Sequence, residues 1–299
     1  MIPAHFDLGD DAAFRAWRDR KLAHYPRGIE DVLVEVRAPR RPSDSDREAI
    51  LAACARANLA IYASAVGGDA DKDIPRALAA SVGLHRLDGN YLADDDGITP
   101  LSVAENGARS RYIPYTDRGI SWHTDGYYNA PERQIRGMVL HCVRPAIEGG
   151  ENRLLDHEIA YLLLRERSAR FVAALMAPDA MTIPARVEED GLARADQTGP
   201  VFSFDELGRL HMRYTARTRS IVWKDNDETR SAVTALEEIL GRDSPIVFRG
   251  RLEAGMGLVC NNVLHDRAPF RDSPPQRRLI YRARYHDRVS EPRTAGACA

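Results

Sequence analysis

A histidine and an aspartate lie two residues apart at His123 and Asp125, and another histidine follows far along the chain at His265. Side chains alternate between the two faces of an extended segment, so His123 and Asp125 are expected to point to the same side. With His265 they offer two imidazoles and one carboxylate, which occupy one face of an octahedral metal ion and leave the other open for reactants. The spacing therefore indicates a transition-metal site of the kind that binds ferrous iron.

A purely structural interpretation of the same residues is also open. The pattern His-x-Asp is short and often arises by chance. His123 could be a half-buried histidine, and Asp125 could cap a turn before Gly126. These residues alone do not decide between the two interpretations.

The first 100 residues mix helices and short strands. Ser45-Asp46-Arg47-Glu48 matches a capping box and predicts the start of a helix. Hydrophobic periodicity predicts helices over residues 10–24, 45–57 and 74–82, and strands over residues 31–36 and 59–62.

From about residue 100 the chain changes to short β segments that Gly, Pro and Asn interrupt. Strands are predicted over residues 137–143, 210–214, 257–260 and 278–282, with helical insertions at 157–176 and 227–240. This order predicts a mainly β fold with helical elaboration, of the double-stranded β-helix type (a jelly-roll, cupin-like barrel).

We expect a single domain over residues 1–299, because the sequence contains no repeat and no long linker. Within it, a helical and mixed part at 1–100 is expected to pack on a jelly-roll core at 101–288, which a tail at 289–299 follows. The metal-binding pattern falls in the β-rich part, as a site at a barrel mouth requires.

The composition is that of an ordinary globular protein, with 44% hydrophobic and 29% charged residues. A net charge of −2 gives no reason to expect a nucleic acid or an anionic membrane as partner. No apolar run is long enough for a membrane span, and no signal pattern opens the chain. The cysteines show no Cys-x-x-Cys pair and are predicted to be reduced thiols in a cytoplasmic protein: Cys54, Cys142, Cys260 and Cys298.

Several short motifs resemble one enzyme family. Trp122-His123-Thr124-Asp125 resembles the first iron motif of the taurine dioxygenase (TauD/TfdA-like) family of Fe(II)/2-oxoglutarate-dependent oxygenases, and Gly149-Gly150-Glu151-Asn152 resembles its Gly-Gly-Asp-Thr turn. Asn262-Val263-Leu264-His265 and the stretch from Pro275 to Ala283 resemble its second iron motif and its arginine strand. These similarities follow in order over roughly residues 80–285.

The resemblance implies an oxidoreductase that uses Fe(II), the cosubstrate 2-oxoglutarate and O2. His123, Asp125 and His265 are then the catalytic iron ligands, and Arg278 binds the distal carboxylate of 2-oxoglutarate through two parallel hydrogen bonds. Asn152 occupies the position of the family's threonine, and its amide is expected to contact 2-oxoglutarate in that residue's place.

The same resemblance places three further residues beside the substrate: Arg282, Tyr127 and Tyr128. Arg278 and Arg282 are four residues apart and should face the same interior on a strand. The implied reaction hydroxylates a C–H bond of a small, anionic metabolite and releases succinate and CO2. Relatives often associate through helical faces, so a homo-oligomer is a further expectation.

Other outcomes are compatible with the same residues. The same cofactor chemistry also gives desaturation, cyclisation or epimerisation, and a non-catalytic barrel that binds a ligand or a partner protein belongs to another class. The arginines at 277, 278, 282 and 284 could also form a solvated edge. A basic cluster could be a solvated loop or a lid that recognises an anionic substrate; it comprises Arg213, Arg217, Arg219, Trp223 and Lys224.

Overall fold

The computed structural model describes residues 2–89, 93–188, 191–217, 221–274 and 276–291, with the backbone alone for 188 and 191–193. The α-helices in these ranges are α1 (Asp11–His24), α2 (Asp44–Ala57), α3 (Asp73–Ser81), α4 (His157–Arg167), α5 (Ala169–Met176) and α6 (Asp227–Gly241). Short 3-10 helices cover Ala4–Phe6, Ile29–Val32, Ala108–Arg111, Ile113–Tyr115 and Pro131–Arg133.

The strands are short, and most lie beyond residue 98. They are β1 (Leu33–Glu35), β2 (Leu59–Ala63), β3 (Thr99–Leu101), β4 (Ile120–His123), β5 (Gly137–Arg144), β6 (Glu148–Gly149), β7 (Asn152–Leu155), β8 (Met181–Ile183), β9 (Arg186–Glu188), β10 (Gly191–Arg194), β11 (Gln197–Gly199), β12 (Phe202–Phe204), β13 (Leu210–Met212), β14 (Val222–Trp223), β15 (Phe248–Gly250), β16 (Met256–Cys260), β17 (Leu264–Arg267), β18 (Phe270–Arg271) and β19 (Leu279–Tyr285).

Two larger sheets organise the described chain. One has six strands in the order β1-β2-β16-β5-β19-β3, and the other has four in the order β15-β7-β17-β4. Only the β1–β2 pair in these sheets is parallel; the other neighbours are antiparallel. The prediction of a mainly β chain with helical elaboration is confirmed at this level.

The N-terminal third belongs to the same core as the rest. β2 pairs with β16 along its full length, from Leu59 opposite Cys260 to Ala63 opposite Met256. The first four residues of β2 are fully buried because the strand lies inside the six-stranded sheet and α2 covers it. This explains why its sequence is continuously apolar rather than alternating.

The N-cap of helix α2 lies two residues earlier than its sequence predicts. The N-cap is Ser43, whose hydroxyl accepts a hydrogen bond from the Asp46 N–H, while the Asp46 carboxylate accepts one from the Ser43 N–H. The capping box is therefore Ser43–Asp46, and the predicted start at Ser45 is wrong. Asp46, at the third helical position, accepts the hydrogen bond from the N-cap backbone that the prediction assigned to Glu48.

The predicted helix over residues 157–176 is two helices, α4 and α5. Ser168 separates them with an extended backbone at φ −168° and ψ 127°. Its hydroxyl accepts a hydrogen bond from the Arg170 N–H and so caps the second helix. Because both segments are amphipathic, the periodicity continued through the break and did not reveal it.

The start of the predicted tail is fixed to the core. Val289 is buried and its N–H donates to the Asn261 side chain, while the guanidinium of Arg288 donates to the Leu210 carbonyl. Residues 292–299, which include Cys298, lie outside the described residues. Among the described helices, none is long and apolar enough to cross a lipid bilayer.

Candidate active site

The two histidines of the metal-binding pattern face each other across an antiparallel strand pair. His123 ends β4, and the register places it directly opposite His265 of β17. The centroids of the two imidazole rings are 4.2 Å apart. Residues far apart in the chain therefore meet because strand pairing aligns them, as the sequence pattern required.

Backbone carbonyls fix the hydrogen positions on both rings. His123 Nδ1 lies 2.9 Å from the Ser121 carbonyl oxygen, and His265 Nδ1 lies 2.9 Å from the Val263 carbonyl oxygen. A carbonyl oxygen only accepts, so each Nδ1 carries the hydrogen and each Nε2 keeps its lone pair. In metal sites generally, a hydrogen bond from the ring nitrogen that does not bind the metal orients the histidine.

Asp125 follows His123 by two residues and completes a buried cluster. One oxygen atom of its carboxylate, Oδ1, lies 3.8 Å from His123 Nε2 and accepts a hydrogen bond of 3.2 Å from Arg282. The other, Oδ2, is buried and has no hydrogen-bond partner. One ligand atom from each of His123, Asp125 and His265 lies within 4.8 Å of the others.

Electrostatics keep this cluster ready for a cation. Burial and the neighbouring His265 lower the pKa of His123 to about 3, so its imidazole is neutral. Burial opposes ionisation of Asp125, but the charges of Arg282 and Arg284 outweigh that cost and lower the pKa of its carboxyl. A neutral His123 imidazole and an anionic Asp125 carboxylate are the protonation states that bind a divalent ion.

The residues fit ferrous iron. Asp125 Oδ2 is an orphaned buried acceptor, which costs free energy unless a cation or donor meets it. The donor set of two nitrogens and one oxygen matches the preference of Fe(II), and three protein ligands leave positions for a chelating cosubstrate and O2.

The chain turns sharply away directly after the cluster. Gly126 has a φ of +66°, and a Cβ atom built there would lie 2.4 Å from the Ile135 side chain. A larger residue would clash as well as adopt a left-handed backbone. The glycine therefore allows the segment to leave the strand immediately behind Asp125.

Arg278 is a buried cation whose guanidinium forms no ion pair with the described carboxylates. Its side chain is 7% exposed, its Nη1 has no hydrogen-bond partner, and its guanidinium carbon lies 5.0 Å from the Phe270 ring centroid. Burial lowers the pKa of this guanidinium, which shows that the charge is poorly solvated. The alternative of a solvated arginine edge is wrong for Arg278 and for Arg284, which is 2% exposed.

Arg278 lines a small cavity together with Asn152 and Gly150. The Asn152 side-chain amide donates a 2.6 Å hydrogen bond to the Asp266 carbonyl, next to His265. That N–H already holds β7 to β17, which leaves the remaining N–H and Oδ1 of the amide for other partners. The structure thus brings Asn152 and Arg278 to one cavity.

Arg282 and Arg284 approach the cluster from β19. Arg282 contacts Asp125, as described above. Arg284 donates to the Tyr128 hydroxyl at 2.9 Å and to the buried carboxylate of Asp88. Tyr128 is therefore tied to the strand that carries the arginines.

Tyr127 and Tyr128 pack edge to face, with ring centroids 5.1 Å apart. Tyr127 lies near Thr215 and Arg217, and burial raises the pKa of its hydroxyl. The basic cluster predicted over residues 213–224 divides in the structure. Arg213 is buried against backbone carbonyls, Lys224 pairs with Asp179, and Arg219 lies outside the described residues.

Residue-type reasoning missed two buried side chains that position the site. The guanidinium of Arg267, two residues after His265, donates to the carbonyls of Thr116 and Arg118. The amide of Asn262 bonds to the backbone of Asp125. Asn262 precedes His265 closely and Arg267 follows it closely, and this closeness was the feature of the sequence that could have indicated them. The backbone groups that they bind cannot be predicted from residue type.

The comparisons with known proteins identify the class. The model of the family "Taurine catabolism dioxygenase TauD, TfdA family" matches residues 34–284. The protein is a 2-oxoglutarate-dependent non-haem iron dioxygenase that uses Fe(II) and O2 to oxidise a small metabolite. The chain belongs to the TauD, TfdA family, and the activity and cofactors predicted from its motifs are confirmed.

Two curated relatives share a name. A uridine-5'-phosphate dioxygenase from Amycolatopsis sp is 32% identical over 205 residues, which are 65% of this chain and 71% of the relative. A uridine-5'-phosphate dioxygenase from Streptomyces sp is 29% identical over 210 residues, which are 67% of this chain and 73% of the relative.

Solved structures share the fold at low sequence identity. A taurine dioxygenase from Burkholderia xenovorans superposes with a TM-score of 0.58 and 19% identity, over 87% of this chain and 89% of that one. An asparagine oxygenase in complex with Fe(II), 2S,3S-3-hydroxyasparagine and succinate gives a TM-score of 0.57 and 13% identity, over 85% of this chain and 93% of that one.

Proposed function

We propose that this dioxygenase hydroxylates a nucleoside 5'-phosphate of the uridine-5'-phosphate kind. The observation that carries this proposal is the 32% identity to a uridine-5'-phosphate dioxygenase across 71% of that relative. The half-buried Arg194, whose guanidinium carbon lies 5.6 Å from the Tyr128 ring centroid, supports the anionic substrate that the sequence also predicted. The overall reaction consumes substrate, 2-oxoglutarate and O2, and it yields hydroxylated product, succinate and CO2.

Within this proposal His123, Asp125 and His265 bind the iron. Fe(II), when bound, supplies the activation of O2 that couples decarboxylation of 2-oxoglutarate to oxidation of a substrate C–H bond. The Ser121 and Val263 carbonyls hold the two imidazoles with Nε2 toward the ion. The charge of Arg282 keeps the Asp125 carboxylate ionised while Oδ2 remains available.

Arg278 is proposed to bind the distal carboxylate of 2-oxoglutarate. Its unpartnered Nη1 and its place in a cavity with Asn152 support this role. A carboxylate there would replace the missing anion with two charge-assisted hydrogen bonds. Asn152 is proposed to contact the cosubstrate through the atoms of its amide that Asp266 leaves free.

The finer architecture is also a proposal. The mostly antiparallel six-stranded and four-stranded sheets support a jelly-roll barrel, with His123 on β4, Asp125 just after β4 and His265 on β17. One family match over residues 34–284 supports a single domain. The described cysteines, Cys54, Cys142 and Cys260, are free and buried, which supports a reducing, cytoplasmic location. Association into a homo-oligomer stays a prediction.

A coupled-turnover assay tests the proposed substrate. Fe(II), 2-oxoglutarate and O2 are supplied with uridine 5'-phosphate, other nucleoside 5'-phosphates, taurine and asparagine, and succinate is measured against the substrate-free background. We expect uridine 5'-phosphate to raise succinate release and to gain one oxygen atom from O2. Stimulation by taurine or asparagine but by no nucleotide would contradict the proposal, and a product without added oxygen would indicate desaturation or cyclisation.

A further inference from the structure

The segment from Thr215 to Arg217 runs beside the strand of the proposed iron ligands. Thr215 forms an isolated antiparallel bridge with His123, and the Ala216 N–H donates to the Trp122 carbonyl at 2.8 Å. The Thr124 N–H donates to the Tyr214 carbonyl at 3.0 Å. Arg217 therefore leaves this pairing at the edge of the candidate active site.

Arg217 meets Tyr127 at this edge. The guanidinium of Arg217 lies near the Tyr127 hydroxyl, and its charge counters the effect of burial on the pKa of the phenol. Arg217 itself is exposed. Its guanidinium thus lies near a tyrosine two residues beyond Asp125 and faces solvent.

A second arginine reaches the neighbouring tyrosine from another element. Arg194, at the end of β10, is half-buried with its guanidinium carbon 5.6 Å from the Tyr128 ring centroid. Its Nη2 donates to the Pro184 carbonyl at 2.7 Å. Tyr127 and Tyr128 both interact with its charge. The tyrosine pair is therefore the common neighbour of Arg194 and Arg217.

Neither guanidinium is neutralised within the described part of the chain. Arg194 donates to carbonyl oxygens, Arg217 lies near the Tyr127 hydroxyl, and neither forms an ion pair with a carboxylate there. Burial and the neighbouring charge of Arg186 lower the pKa of Arg194. Bringing like charges together costs electrostatic free energy, and the partial burial of Arg194 adds to that cost. An anion bound between the two guanidinium groups would offset it.

We propose that Arg194, Arg217 and the hydroxyl groups of Tyr127 and Tyr128 form a subsite for a phosphomonoester dianion beside the candidate metal-binding residues. The inference rests on the proposed function, since it assigns the phosphate end of the nucleotide. Two planar guanidinium groups match the charge and the oxygen geometry of such a dianion. Arg282 remains with Asp125, so this subsite is separate from the arginine that the family resemblance suggested.

The test compares Arg194→Gln, Arg217→Gln and Arg217→Lys with the unchanged protein. The matched control is Arg249→Gln. Arg249 forms an ion pair with Asp243 in another region, and both side chains are exposed. Titration calorimetry measures binding of uridine 5'-phosphate, uridine and inorganic phosphate to the enzyme loaded with Fe(II) and 2-oxoglutarate without O2. The visible charge-transfer band of that loaded enzyme reports whether the metal centre is intact.

Each glutamine variant should bind uridine 5'-phosphate about 10-fold or more weakly, as expected for loss of one charge-assisted bond. Uridine affinity and the charge-transfer band should stay unchanged, and Arg217→Lys should recover part of the loss. Inorganic phosphate should compete with the nucleotide in the unchanged enzyme and in the control, but only weakly in the glutamine variants.

The outcomes separate the two proposals. Equal nucleotide affinity in all variants, or no binding of phosphate and nucleotide to the unchanged enzyme, would overturn the subsite. If phosphate binding depends on both arginines but uridine 5'-phosphate supports no succinate release, the subsite is upheld. In that case the nucleotide is the wrong phosphomonoester, and the proposed function fails by itself.

Discussion

The side-chain amide of Asn262 is hydrogen-bonded to both the backbone N–H and the backbone carbonyl of Asp125. The Asp125 N–H donates to Asn262 Oδ1 at 2.8 Å, and Asn262 Nδ2 donates to the Asp125 carbonyl at 2.9 Å. The same amide nitrogen donates to the Ile135 carbonyl at 2.6 Å. Asn262 is 1% exposed and has a left-handed backbone at φ +53°, which asparagine tolerates better than most residues.

Replacing Asn262 by alanine should weaken metal binding as well as stability. The change strands a buried N–H and two carbonyls around Asp125, at about 1–3 kcal/mol for each unpaired group. We expect a lower affinity for Fe(II), or for Co(II) as a stable substitute, in an anaerobic titration. Asn226→Ala is the control, because it removes the N-cap of α6 far from the cluster. Equal metal affinity in both variants would show that Asn262 has only a structural role.

Arg278→Gln should raise the KM for 2-oxoglutarate. Loss of a charge-assisted, two-pronged contact costs about 1.5–3 kcal/mol, which is roughly a 10- to 150-fold change. The neighbouring Arg277 provides the control, because it is exposed and pairs with Glu105. Steady-state succinate release at varied 2-oxoglutarate measures the effect. An unchanged KM in Arg278→Gln, or an equal rise in Arg277→Gln, would remove Arg278 from the cosubstrate site.

Local sequence patterns predicted much of the fold and the three candidate metal-binding residues. Strand alternation placed His123 and Asp125 on one side, and the apolar runs located β2, β5 and β16 within one or two residues. The break at Ser168 and the start at Ser43 were missed because amphipathic periodicity continues across a cap. The cap depends on one hydroxyl and its backbone partner, which the hydrophobic pattern does not record.

Long-range polar contacts were the part that sequence could not supply. Asn262 stood inside a recognised motif, yet its partner Asp125 lies 137 residues away. Arg284 was one of several arginines in a row until the structure paired it with Asp88, 196 residues away. Such pairings depend on strand register and burial, and neither follows from residue type.

The buried ion pair of Asp88 and Arg284 should be sensitive to loss of one partner. Each side chain is 2% exposed, and Asp88 also accepts from Arg133 at 3.3 Å. Asp88→Ala leaves a buried guanidinium without its anion, so the free energy of unfolding should fall by about 3–5 kcal/mol. Urea unfolding measures the loss. Asp243→Ala, which breaks an exposed pair with Arg249, should cost about 1 kcal/mol or less. Similar losses in the two variants would contradict this account.

Low pH should destabilise the fold because it protonates buried histidines that are not among the candidate metal-binding residues. Burial lowers the pKa of His157 to about 4 and that of His211 to about 3, from an ordinary value of 6.5. Between pH 6.5 and these values the unfolded chain binds more protons than the folded chain, so stability falls as the pH falls. At pH 5 each histidine should cost about 2 kcal/mol relative to neutral pH.

Urea unfolding between pH 7 and pH 5 measures this slope. His157→Gln should make the slope shallower, because glutamine can still donate to the Leu210 carbonyl but does not titrate. A free energy of unfolding that stays level or rises as the pH falls would contradict the assignment of neutral buried imidazoles.

The central claim is that His123, Asp125 and His265 bind one ferrous ion together with 2-oxoglutarate. The most direct measurement is the visible difference spectrum on adding Fe(II) and 2-oxoglutarate without O2. We predict a weak charge-transfer band in the unchanged protein and in the control His24→Ala, whose residue is exposed on α1. The band should be lost in His123→Ala, Asp125→Ala and His265→Ala. Its absence from the unchanged protein, or its persistence in Asp125→Ala, would contradict the account.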